Sequence, residues 1–178
     1  MMIIIIYYDH HKLNIKNKFK RLFLCPGVLA MSINYCKPVV IVDACHLRSQ
    51  YGGVVMSACV NDGENQIVPI AIAIIDIENQ DNWEFFFIYL LKAIPTLNNE
   101  NFTIIYNREK RLSNAQNKIL SLSNKSICLF HLEKNVNSRF KTKLNRRLWT
   151  IAKSTTIRNY NKIMNDIKKD HISIYNYL

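Results

Sequence analysis

Asp43 closes a short β-branched run, Val39 to Val42, a pattern that predicts a buried strand delivering a carboxylate at or near its end. Such a residue has two ordinary uses. It terminates the strand as a turn residue, or it acts as a rigidly held oxygen ligand for a hard divalent cation such as magnesium. A second carboxylate at the end of a neighbouring strand would decide for the metal, and the position that should supply it, after Phe102 to Tyr106, holds Asn107. An amide presents a neutral carbonyl oxygen, which can orient a cation but neutralises none of its charge.

Cys128 and His131 have the spacing of half a zinc site. One pair cannot fill a tetrahedral shell, and Cys45 with His46, the candidates for the other half, are adjacent and would ligate together only under strain. The alternative is a buried strand cysteine followed by a histidine near a helix start. His10 and His11 are a further adjacent pair, of the kind usually incidental near a terminus. Arg139, Lys141, Lys143, Arg146 and Arg147 lie close to Phe140 and Trp149. That mixture suits phosphate contact without base reading, the aromatics packing beneath; Trp149 is expected in the core.

Charge is distributed to match. Residues 1–37 carry a net +5, residues 38–100 a net −6 and residues 101–178 a net +12, for +11 overall. An acidic middle between basic flanks points to a polyanionic partner, nucleic acid before membrane, since no basic amphipathic helix with bulky anchors stands out. A solvated basic surface is the bland alternative.

The elements that must hold these residues are legible from Pro38 onward. Val54 to Val60 and Gln66 to Ile75 read as strands joined by the turn Asn61-Asp62-Gly63, with Pro69 at a bulge or on the open side of an edge strand. Trp83, Phe86, Phe87, Leu90, Leu91 and Ile94 then fall on one helical stripe that ends before Pro95 and must cover a sheet. Phe102 to Tyr106 is a fourth strand, Leu112 to Leu122 a weaker helix, Ser126 to Phe130 a fifth strand, and His131 opens a basic helical tail in which Ile157, Tyr160, Ile163, Met164 and Ile167 recur at helical spacing. The order β-β-β-α-β-α-β-α defines an α/β domain with a mixed sheet flanked by helices.

Length and composition allow this. The 178 residues suit one domain, and 49% hydrophobic residues with only 4 Gly and 4 Pro exclude a collagenous or disordered chain. No apolar run approaches the roughly 18 residues of a spanning helix, and no basic start or small-residue cleavage site marks a secretory signal, so a soluble, intracellular protein is expected. Five cysteines, an odd number mostly in apolar runs, argue against a disulfide framework. Residues 1–18 have no stable period and read as a poorly ordered leader.

The ordered set of segments resembles one family. Asp43-Ala44-Cys45-His46-Leu47-Arg48-Ser49-Gln50-Tyr51-Gly52-Gly53, then Asn65 to Ala73, Asp76-Ile77-Glu78-Asn79, Trp83-Glu84-Phe85-Phe86, Ile104-Ile105-Tyr106-Asn107-Arg108 and Cys128-Leu129-Phe130-His131-Leu132 are similar to the core of Mutator-like element (MULE) transposases. The resemblance runs from about Phe19 to Leu178. It implies a ribonuclease H-like fold in the DDE superfamily, with an Asp, Asp, Glu triad holding two Mg or Mn ions that activate water and then a DNA 3′ hydroxyl for attack on phosphodiesters. Asp43 matches the first acid and is the expected metal ligand; Asn107 stands where the family has its second. The third lies on a helix downstream of the Cys-x-x-His element, where only Asp166 and Asp170 follow Glu133.

The expectation is therefore a core at 19–178, truncated at its C-terminal end, that is a degenerate or partial copy of a nuclear transposase acting on transposon ends and target DNA. A domesticated, non-catalytic DNA-binding or regulatory protein is the alternative. The resemblance raises the weight of Cys128 and His131 without establishing zinc, and oligomeric state stays open, a homo-oligomer among the options.

Overall fold

The computed structural model describes residues 4–11, 18–48, 50, 52–142 and 144–178, with side chains from Lys20 onward except Asn145. The fold resolves into two compact units, Met1–Ser126 and Ile127–Leu178, where the sequence suggested a single core.

The first unit is a sheet with helices. Its strands are β1 (Ile4–His11), β2 (Lys18–Pro26), β3 (Val39–His46), β4 (Val54–Asn61), β5 (Ile67–Ile75), β6 (Thr103–Tyr106) and β7 (Asn124–Ile127), joined in the order β1-β2-β5-β4-β3-β6-β7. The β3–β4 and β4–β5 pairs are antiparallel and β3–β6 is parallel, so the sheet is mixed as the element order predicts. Among the described residues, three α-helices belong here: α1 (Gly27–Ser32), α2 (Gln80–Ala93) and α3 (Lys110–Ile119).

Period 2 does the sorting. Along β4, Val54, Met56, Ala58 and Val60 are buried and Val55, Ser57, Cys59 and Asn61 only half so; β3 alternates likewise through Val40 and Val42. The buried face joins Trp83, Phe86, Phe87 and Leu90 of α2 and Leu112 and Ala115 of α3 in one core. Trp83 stacks on Phe87 at 5.9 Å and meets Phe86 edge-on. Each large side chain buried in this aromatic seam contributes roughly 1.5–3 kcal/mol.

Pro69 meets the first of the two predicted conditions, the bulge; β5 is not an edge strand but lies between β2 and β4. The β4–β5 register passes from Ala58↔Ala71 to Cys59↔Pro69, leaving Ile70 as the extra residue of a bulge, and the β2 ladder pairs only Ile72 to Ile75 of β5. The proline therefore needs no donor toward β2.

Other expectations change. Residues 4–11, expected to be leader, pair antiparallel with β2 throughout, which supplies hydrogen-bond partners that a sequence without alternation does not advertise; His10 and His11 lie on this strand, their side chains outside the described set. The fifth strand comes early: β7 ends at Ile127, and Cys128 is already the N-cap of the next helix, so Leu129 and Phe130 are helical rather than extended. Apolar runs of this length suit either element, and here the shorter strand won.

The second unit is helical, with α4 (Leu129–Phe140), α5 (Asn145–Ala152), α6 (Ile157–Asp170) and α7 (Ile172–Tyr177). Its core is small: Val136, Leu144, Leu148, Ile167 and Ile174.

Candidate functional site

Asp43 lies within β3, and Asn107 immediately follows β6, the parallel neighbour of β3. The β3–β6 register pairs Val39 with Thr103, Val40 with Ile104 and Ile41 with Ile105. The ladder ends there; continued by one pleat, the same register leads from Ile41 to Asp43 and from Ile105 to Asn107, the residue just after β6, and both are half-buried. The C-terminal ends of adjacent parallel strands are where α/β sheets place ligands. Across the antiparallel ladder, Asp43 is registered with Ser57, and its charge reaches Cys59. The Cys59 thiol is pushed up, first by burial and then by that negative charge, with a Ser57 hydrogen bond opposing.

Asn107 is turned toward its own chain. Its Oδ1 accepts the Glu109 N–H at 3.2 Å, and its backbone carbonyl accepts the same N–H at 2.7 Å. That turn launches α3. Glu109 is the helix N-cap, accepting the Leu112 N–H, and its other oxygen takes the Arg111 Nε at 2.7 Å. The nearest carboxylate in sequence is thus committed to a helix end and a guanidinium. No group of three or more His, Cys, Asp or Glu side chains placed to hold a metal occurs among the described residues. Two divalent cations require several anionic oxygens between them; one aspartate and an amide that already accepts an N–H do not fit that pair.

The Asp76-Ile77-Glu78-Asn79 segment, by contrast, is structural. Asn79 caps α2 by accepting the Asn82 N–H, and Glu78 Oε1 accepts the Trp83 indole N–H at 3.2 Å. Asn82, 2% exposed, donates to Asp76 Oδ1 at 3.0 Å and the Ile77 carbonyl at 2.8 Å, and accepts from Arg21. Arg111 donates to the Glu78 carbonyl at 2.8 Å and ties in α3. A buried amide satisfied on every side fixes the turn between sheet and helix.

Gly53 also has a backbone reason. Its φ is +98°, and a Cβ there would stand 3.1 Å from the Ile75 carbonyl oxygen.

In the second unit, Cys128 and His131 sit at the N-cap and first turn of α4. Cys45 and His46 belong to the first unit. Asp166 and Asp170 lie on α6, and Asp170 forms a 2.7 Å ion pair with Arg147. The basic cluster splits by role. Arg147 is partly neutralised by that pair, Arg139 lies 5.1 Å from the Tyr177 ring and 5.7 Å from that of Phe140, and Lys141 is the left-handed C-cap of α4 at φ 51°. Arg146 is exposed, and Lys143 falls outside the described residues.

Trp149 is corrected. It is 41% exposed, with its indole N–H donated to Glu133 at 2.8 Å, because Leu148, one residue earlier, faces the core at 2%. A single residue step turns a helical side chain by about 100°. Two cations went unnoticed in the sequence, Lys153 and Lys162, which line a cleft together with Arg146 and Trp149. A signal existed: 146, 149, 150 and 153 repeat as i, i+3, i+4 and i+7, a polar stripe on α5.

The strand expected to close at Asp43 instead runs on to His46, because Ala44 to His46 continue the antiparallel ladder with β4, so Asp43 is an interior residue of β3 while Asn107 follows the end of β6 in an α/β domain. The family model described as MULE transposase domain matches residues 39–135, and the chain belongs to that family. No curated protein matches the sequence. The matched span includes Asp43, Asn107, Cys128 and His131, and ends before the basic cluster.

Proposed function

We propose that this chain is a transposase-derived, ribonuclease H-like core that engages DNA in the nucleus and does not perform strand transfer. What supports the fold reading is the strand order β5-β4-β3-β6-β7, three antiparallel strands followed by parallel addition at the β3 edge. The observation that carries the loss of chemistry is that Asn107, the residue after β6, is an amide whose oxygen accepts a backbone N–H. In the family the chemistry comes from two divalent metals. Here one carboxylate, Asp43 of β3, remains beside an amide-bearing strand terminus.

Asp43 in this reading is the surviving metal ligand and Asn107 the lapsed one. DNA engagement is supported by the second unit, whose 52 residues carry a net charge of +8. That surplus also favours the non-catalytic, DNA-binding alternative, since affinity for phosphates outlasts the loss of an acid. No helix among the described residues is long and apolar enough to cross a membrane.

The test is a calorimetric titration with Mn or Mg. Asn107→Asp is expected to tighten binding by at least about tenfold, equivalent to about 1.4 kcal/mol. Divalent-dependent cleavage of terminal-repeat DNA by the unaltered protein would overturn the proposal, as would equal metal affinity in the two forms.

A further inference from the structure

The second unit holds an open cleft of about 570 Å³ between α5 and α6, lined by Arg146, Trp149, Lys153, Ser154, Asn159 and Lys162 among others. No carboxylate occurs among its described lining residues. Three cations therefore converge on one concavity, in contrast to Arg147, which Asp170 partly neutralises. The first turn of α6, which begins at Ile157 and contains the lining residue Asn159, adds the positive end of a helix dipole of the same sign.

Trp149 gives the cleft a second character. Its ring is held in place by the 2.8 Å bond from the indole N–H to Glu133 while 41% of the residue stays accessible. Fixing the N–H edge leaves the indole a preordered flat surface, already paid for in side-chain entropy. Cations beside an exposed, immobilised aromatic ring are the combination that binds single-stranded nucleic acid: phosphates on the charges, a base on the ring. Paired bases inside a duplex are already stacked and cannot reach such a ring.

We propose that this cleft binds an unpaired nucleic-acid segment, with Arg146, Lys153 and Lys162 contacting its phosphates and Trp149 stacking a base. The inference deepens the nucleic-acid reading above and rests on it. It assigns contact to Lys153, Lys162 and Trp149 rather than to Arg139, Lys141 and Arg147.

The two tryptophans make the test direct. Trp83 is fully buried, so quenching of intrinsic emission on adding oligothymidylate to the full chain reports Trp149. Quenching is expected at low salt and disappears in Trp149→Phe, which keeps an aromatic face and most of the affinity. The pair Lys153→Glu with Lys162→Glu is expected to weaken binding by about tenfold or more, with a shallower salt dependence. The pair Lys134→Glu with Lys169→Glu, equal in net charge and outside the lining, is expected to change it much less. Circular dichroism checks folding, and Lys153→Gln with Lys162→Gln replaces the reversal pair if that pair unfolds.

If oligothymidylate binds without quenching, or both reversal pairs weaken it equally, the cleft assignment is overturned while nucleic-acid binding stands. If duplex of the same length displaces the single strand, the preference for unpaired bases is overturned. If neither form binds at low salt, the cleft and the broader nucleic-acid reading fall together.

Discussion

Residues 1–126 carry a net charge of +3 and residues 127–178 a net +8, yet the larger unit holds nearly all of the buried aromatic mass while the smaller rests on five buried aliphatic side chains. A sheet packed on α2 and α3 suits the holding of side chains in fixed register. Short helices with cationic outer faces suit the reading of phosphates. The difference also separates two ways of losing function: in the first unit one altered side chain removes a ligand, whereas in the second the charge is spread over many positions and survives single losses.

Substitution of the two tryptophans should divide the units most sharply. Trp83→Ala is expected to cost about 3–5 kcal/mol, read as a lower urea midpoint, because it empties the centre of the aromatic seam. Trp149→Ala should cost about 1 kcal/mol or less, the worth of one partly exposed hydrogen bond. Equal losses would mean that the second unit depends on its tryptophan as a core residue, against the exposure seen here.

Asn82→Ala comes next, at about 1–3 kcal/mol in the same unfolding experiment, since Asp76, the Ile77 carbonyl and Arg21 lose their shared partner. Gly53→Ala is expected to cost about 1–2 kcal/mol from a positive φ and the close Ile75 carbonyl, measured as a shift in thermal midpoint. Neither should alter oligonucleotide affinity if binding belongs to the second unit; a parallel loss would break the comparison.

The smallest effect is a pH dependence. Hydrogen bonds from Gln80 and Lys118 hold the Glu84 carboxyl below its usual value, the Lys118 contact being 2.7 Å. A carboxyl lowered on folding contributes stability above its unfolded pKa and loses it as pH falls through the lower folded value. Lys118→Gln should therefore reduce thermal stability near neutral pH and converge with the parent protein in acid. A difference that persists unchanged in acid would assign the effect to packing instead.

Much of the first unit was legible because its residues obey one period at a time. Val54 to Val60 alternates cleanly, the stripe from Trp83 to Ile94 keeps helical spacing, and Pro69 announced the bulge. β1 was not legible, because its run of isoleucine, tyrosine, aspartate and histidine gains its form from pairing with β2 rather than from any alternation. The boundary near Cys128 was missed because a short apolar run serves strand and helix alike. In the candidate site, Asn107 could be named from the end of its strand, whereas β3 runs three residues past Asp43 because the β4 ladder continues, and the bond between Asn107 and the Glu109 N–H had no sequence signal.

The sequence by itself determined residue chemistry and period: a carboxylate after one β-branched run and an amide after another, an aromatic stripe on one helix, and a surplus of cations after residue 127. Tertiary structure alone decided that the two strands are parallel neighbours with Ile41 registered on Ile105, and that Lys162 of α6 lines the same cleft as Arg146 of α5 and its C-cap Lys153. The reason is physical. Period and polarity are properties of neighbours along the chain, whereas strand partners and facing helices are chosen by burying surfaces contributed from distant parts of it.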